Sequence, residues 1–184
     1  MNPITHLLIS WCAVNVVPLE KRDRAIAMVG GIIPDIDGIG ALPQLLTRSS
    51  DTPLTWFSEY HHLLTHNIGT CLLGTIVAVA IAKRRLRTGA MFLLIFHLHL
   101  LCDIVGSRGP DGYQWPIPYL LPFSSAWQLT WSHQWQLNAW PNFLITIVSL
   151  GLTFWFAWKR GFSILELVSS RADRVFVETI LKRI

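Results

Sequence analysis

His99 and Asp103 stand four residues apart in "FHLHLLCDIV" (96–105), where polar groups interrupt an apolar run. On a helix this spacing puts an imidazole and a carboxylate on one face. His97 lies about 200° round the axis from His99 and points elsewhere. An ionised carboxylate without a partner is costly in low-dielectric surroundings. A divalent cation removes that penalty, and imidazole with carboxylate is the donor set such an ion collects.

The remaining candidates fall in three short motifs. His6 sits in the first apolar run, "ITHLLISWCAVNVV" (4–17). "PDIDG" (34–38) carries Asp35 and Asp37 in a turn bounded by proline and glycine. An extended backbone there sends the two carboxylates to opposite sides, so one could bind an ion while the other orients a histidine or a water. "HHLLTH" (61–66) offers His61, His62 and His66, with Thr65 expected as the N-cap of the apolar helix that follows. Six of the seven histidines lie in these motifs and in 97–99, whereas His133 stands apart in a polar, aromatic stretch. Each motif also has a plain structural reading, as a core histidine, an Asx-capped turn or a helix-to-helix hydrogen bond. Their joint occurrence in a chain that is only 14% charged favours a divalent metal site.

The elements that must position these groups read as helices. With 52% apolar residues and a mean hydropathy of +0.42, the chain is expected to be an all-α helical membrane protein. Apolar runs at 67–82 and 89–105 are followed by an aromatic loop. Residues 142–158 give the clearest membrane span, with Trp140 and Trp158 at the interfaces. "KRRLR" (83–87) and Lys159–Arg160 place two basic tails on the cytoplasmic side. Residues 162–184 alternate apolar and charged positions as an amphipathic helix does. Three parts result: a metal-binding core over 1–125, an aromatic loop and transmembrane helix over 126–160, and an amphipathic tail over 161–184. The net charge of +4 comes with no basic stripe interleaved with aromatics, so no nucleic-acid partner is expected. Cys12, Cys71 and Cys102, an odd set without CxxC spacing, read as small buried apolar residues.

In their order, His6, "PDID", "HHLLTH" and "HLLCD" resemble the membrane-bound metal-dependent hydrolases of bacterial inner membranes. More distantly they are similar to zinc-dependent phospholipase C and the single-strand nucleases, all-α enzymes with clustered zinc. The resemblance covers roughly residues 1–125. It implies a phospholipase C/nuclease-like helical core holding one or more divalent ions, zinc favoured, through His6, Asp35, Asp37, His61, His66, His99 and Asp103. Asp103 would bridge two ions. Two positions depart from the pattern: His62 stands where the family often has Arg, and Asn67 where it usually has Ser. His62 is thus either an extra ligand or a substitute for a phosphate-contacting cation.

The function implied is hydrolysis of a phosphoester, small-molecule or lipid-borne, by a metal-activated water, in contact with membrane lipid. Asp37, in preference to Asp35, would accept the water's proton. Arg108, between glycines in the loop after Asp103, is a candidate phosphate clamp, or else ties its own loop through Asp111. Two competing readings use the same residues: a membrane metal-binding or transport protein, and a non-catalytic scaffold with a structural metal.

Overall fold

The computed structural model describes residues 1–109 and 111–182. Pro110 of the expected loop and Arg183 and Ile184 of the expected tail helix lie outside the described residues. Eight α-helices follow in chain order: α1 (Pro3–Val14), α2 (Lys21–Val29), α3 (Ala41–Thr47), α4 (Trp56–Tyr60), α5 (Ile68–Ile81), α6 (Arg85–Gly106), α7 (Trp140–Arg160) and α8 (Ser170–Leu181). No strand occurs among the described residues, only two isolated bridges. The all-α expectation holds. Both α6 and α7 are long and apolar enough to cross a membrane.

Local chemistry sets the helix ends. Asn2 precedes Pro3 and accepts from Thr5 N at 2.9 Å, which starts α1 one turn before His6. The cap of α5 is Asn67, which accepts from Thr70 N at 3.0 Å, and not Thr65 as the sequence suggests. The Thr65 hydroxyl donates instead to Pro34 O, tying the histidine motif to "PDIDG". Asn serves as well as Ser or Thr at an N-cap, so the choice between 65 and 67 falls to that tertiary contact. α6 has no cap of its own. Buried Asp23 of α2 supplies one, accepting from Lys83 N at 3.0 Å and Arg84 N at 2.8 Å. α7 begins with Pro141 in its first turn and ends at Gly161, whose φ of 71° closes the helix on Ala157 O.

α6 is the central helix. α5, α2 and α1 all pack against it, and α7 lies along α1. Trp11, Val14, Met28, Met91 and Ile95 form one apolar cluster, while Cys71, Ala78, Phe92, Phe96, Leu100 and Ile117 form another. α5 approaches α6 closely because Gly74 faces the Phe92 ring, where a Cβ would come within 2.5 Å of Cζ. The outer face of α7, with Phe143, Ile147, Leu150 and Phe154, stays uncovered by the chain, as suits a helix in lipid.

Two local expectations change. "PDIDG" is not extended. It is the start of a 3₁₀ turn, Pro34–Gly40, which brings Asp35 and Asp37 to adjacent sectors of one short helix. The tail is not one helix but a 3₁₀ turn, Ile164–Leu167, followed by α8. A polar junction makes the break. Arg24 pairs with Glu166 through two hydrogen bonds of 2.8 and 3.0 Å, stacks over Phe162, and is buried with its partner. Ser163 donates from its amide and its hydroxyl to Asp173.

The cap across helices gives a direct test. Asp23→Ala removes the acceptor of two amides at the start of the central span, and the protein loses about 1–2 kcal/mol. Thermal melting of the detergent-solubilised variant reads that loss, and an unchanged melting temperature would refute the capping role.

Candidate metal centre

Five polar side chains meet around Asp103, near the C-terminal end of α6. Asp103 and His99 share one face, as the four-residue spacing requires, with His99 Nε2 3.0 Å from Asp103 Oδ2. α1 delivers His6 to the other carboxylate oxygen, at 3.0 Å, where the Met1 ammonium also arrives. The His6 and His99 rings stack with centroids 3.7 Å apart. The 3₁₀ turn brings Asp35 Oδ1 within 3.6 Å of His99 Nε2. The loop before α5 adds His66 and His62, whose Nε2 atoms lie 3.5 and 3.9 Å from Asp103 Oδ2.

These groups form two sets that share Asp103. His6, Asp35, His99 and Asp103 are one, and His62, His66 and Asp103 the other. In each, one donor atom per residue lies within 4.8 Å of the rest. Both sets have the histidine and carboxylate chemistry of zinc sites. The buried atoms His66 Nε2, His99 Nε2 and Asp103 Oδ2 have no hydrogen-bond partner. Unpaired polar atoms of this kind are uncommon in folded interiors, and here both ring nitrogens face Asp103 Oδ2, at 3.5 and 3.0 Å, as donors around a cation would. The residues present fit a divalent cation.

The rings are aimed from behind. His99 Nδ1 donates to Gly31 O at 3.0 Å and His62 Nδ1 to Trp115 O at 3.1 Å, which leaves each Nε2 lone pair facing Asp103. Burial, then the neighbouring His66, pushes His62 down to about 3, so its imidazole is neutral at neutral pH. His62 and Trp115 both adopt positive φ, 68° and 48°. Strained backbone of this sort costs on the order of 1–3 kcal/mol per residue, and here it holds the ring and its carbonyl face to face. His66 Nδ1 lies 3.4 Å from Asp37 Oδ2, the arrangement by which a carboxylate orients a metal-binding histidine.

The expected ligands therefore separate into two layers. His6, Asp35, His66, His99 and Asp103 point donor atoms at the centre, and His62 joins them. Asp37 and His61 stand outside both sets. Asp37 Oδ1 takes His61 at 2.9 Å and Oδ2 takes the Thr65 amide and His66, so this carboxylate is fully engaged. Its companion Asp35 is the aspartate that opens on a cavity of about 620 Å³ over the cluster. Arg108 does not reach that cavity. Its guanidinium donates to Gly112 O at 3.1 Å, holding its own loop through a backbone carbonyl. His97 bonds Leu93 O and Tyr119, away from the centre. The orienting carbonyls of Gly31 and Trp115 had no sequence signal, since any residue has a carbonyl. Gln134, which donates to Asp103 O at 2.7 Å, lies in the aromatic stretch 31 residues on.

An all-α bundle with two spanning helices and a buried histidine–aspartate centre defines a membrane-integral protein with groups able to bind a metal. The chain belongs to the YdjM inner membrane protein family, whose profile matches residues 1–177. It is an integral inner-membrane protein in contact with membrane lipid. No curated protein and no solved structure matches it.

The two layers predict different losses. His99→Ala loses the ion held with His6, Asp35 and Asp103 and lowers the metal content below that of the parent. Asp37→Asn, which only loosens the aim of His66, weakens it about 10–100-fold. His97→Ala leaves it unchanged. Elemental analysis of detergent-purified variants, titrated against a chelator of known affinity, reads all three. Equal metal content in His99→Ala and the parent would overturn the centre.

Proposed function

We propose that this protein is a membrane-bound hydrolase that uses one or more divalent ions, zinc favoured, to cleave a phosphoester. One observation carries the reading. Two buried, unpartnered ring atoms, His66 Nε2 and His99 Nε2, face the equally unpartnered Oδ2 of Asp103, a residue that lines an open cavity. A structural zinc site is closed by protein ligands, whereas a catalytic one keeps a position open toward a cleft.

His6, Asp35, His99 and Asp103 would hold one ion, and His62 and His66 with the shared Asp103 a second. A cation so held supplies a water acidified from a pKa of about 15.7 to near 7, and a Lewis acid for the phosphoryl oxygens. The chain does the rest. Asp103, the one residue common to both sets, would fix their spacing. The carbonyls of Gly31 and Trp115 keep the His99 and His62 rings from turning. Asp35 is the better placed of the two "PDID" aspartates to take the proton of the attacking water. Its side chain is 20% exposed, while that of Asp37 is 0% exposed and engaged on both oxygens. Phe57 and Trp115 supply aromatic walls above this floor.

Purified protein loaded with zinc is expected to hydrolyse a generic phosphodiester. Asp103→Asn loses both the metal and the activity. Asp35→Asn keeps at least one ion and loses about 10²–10⁴-fold in kcat, the usual share of a general base. Stoichiometric zinc without turnover on any phosphoester of a broad panel would sink the enzyme reading and leave a metal-binding membrane protein.

A further inference from the structure

The bundle has two chemically different ends. α1 runs from the centre toward Val14, and α2 returns from Lys21 to Val29, two residues before Gly31, whose carbonyl bonds His99. α5 starts at the centre and ends at Ile81, while α6 comes back from Arg85 to Asp103. α7 lies parallel to α1, with Thr146 bonded to Thr5 and Cys12 to the Ser149 carbonyl, so Arg160 finishes far from the centre. Contacts confirm that the far ends meet: Asp23 caps α6, Lys83 pairs with Glu20, and Arg22 donates to Ile81 O. Segments 21–24, 83–87 and 159–160 at this end carry nine of the fifteen Lys and Arg residues. Among the described residues at the opposite end, Arg48 and Arg108 are the only two. Cytoplasmic ends of short inner-membrane segments collect Lys and Arg.

The centre's end has the marks of a membrane interface. Trp140 is 72% exposed, Trp127 50% and Trp56 48%, the amphipathic rings that settle at headgroup level. α3 buries none of its residues and leaves Leu42, Leu45 and Leu46 bare beside Ala41 at the cavity wall. The cavity itself has a polar floor of Asp35, His62 and Asp103 under apolar walls of Ile39, Phe57 and Leu137. No Lys or Arg lines it among the described residues. A small, water-borne phosphate ester has no use for apolar walls and a bare leucine rim. A lipid needs both, its headgroup on the floor and its chain on the walls, continuous with the leaflet around α3.

From these placements we propose that the centre opens on the periplasmic side of the inner membrane. Its substrate is an amphiphile of the periplasmic leaflet, with a phosphoester headgroup and an apolar chain. This substrate assignment rests on the hydrolase reading; the orientation does not.

Two experiments on the full-length protein test it. Ser50→Cys lies at the centre's end and Arg87→Cys at the basic end, both exposed, and the parent chain sets the background of its own cysteines. In spheroplasts a membrane-impermeant maleimide labels Ser50→Cys at once and Arg87→Cys only after lysis. The reverse pattern overturns the orientation. For the substrate, zinc-loaded protein is given phosphatidylglycerol in mixed micelles and p-nitrophenyl phosphocholine in solution. The expected result is a kcat/KM at least tenfold higher on the lipid. Equal or faster cleavage of the soluble ester overturns the amphiphile assignment and keeps the hydrolase. Cleavage of neither overturns both, while the labelling result stands by itself.

Discussion

A carboxylate buried in a membrane helix is the constraint around which this fold is arranged. Asp103 is 2% exposed, within a span whose neighbours are Leu, Cys, Ile and Val. Lipid offers it nothing, so the chain must bring partners to it. α1 brings His6, α6 itself His99, and the loop before α5 His62 and His66. The broken geometry between α2 and α3 follows from the same need. A continuous helix through 29–41 would carry Asp35 past the cluster, whereas the 3₁₀ turn at Pro34 holds it there.

Aiming these rings takes as much structure as delivering them. An imidazole has two nitrogens, and only a partner on the rear nitrogen decides which faces forward. Gly31, Trp115 and Asp37 fill that role from three unrelated segments. Gly31 also explains a tight contact, because a Cβ there would lie 2.0 Å from Ser10 Oγ. The carbonyl that fixes His99 is thus at a position where α1 and α6 leave room for no side chain.

The sequence made the donor set legible because polar groups in an apolar chain are conspicuous. His6, His66, His99 and Asp103 all face the centre, and the spacing of His99 and Asp103 described their common face. The apolar runs 89–105 and 142–158 marked the bodies of α6 and α7 but not their ends, since α6 takes Arg85, Leu86 and Arg87 of the basic segment into its first turn. What stayed hidden depends on long-range contact. Thr65 and Asn67 are equivalent caps until Pro34 O takes the Thr65 hydroxyl. Asp35 and Asp37 are chemically alike, and only the 3₁₀ geometry turns one inward to the cavity and the other to His61. The break in the tail was concealed for the same reason: its cause, the Arg24–Glu166 pair, joins residues 142 apart.

The unequal lengths of the helices bear on the surrounding bilayer. At about 1.5 Å per residue, α6 reaches about 33 Å, enough for a hydrocarbon core of about 30 Å. α1 and α5, with 12 and 14 residues, extend only about 18 and 21 Å. A rod of that reach falls short of the core, and a bilayer meets such a shortfall at fractions of a kcal/mol per Å of mismatch. Of the four apolar helices α1, α5, α6 and α7, only α6 and α7 have the reach of a full hydrocarbon core, so the depth beyond the ends of α1 and α5 is left to loops and lipid.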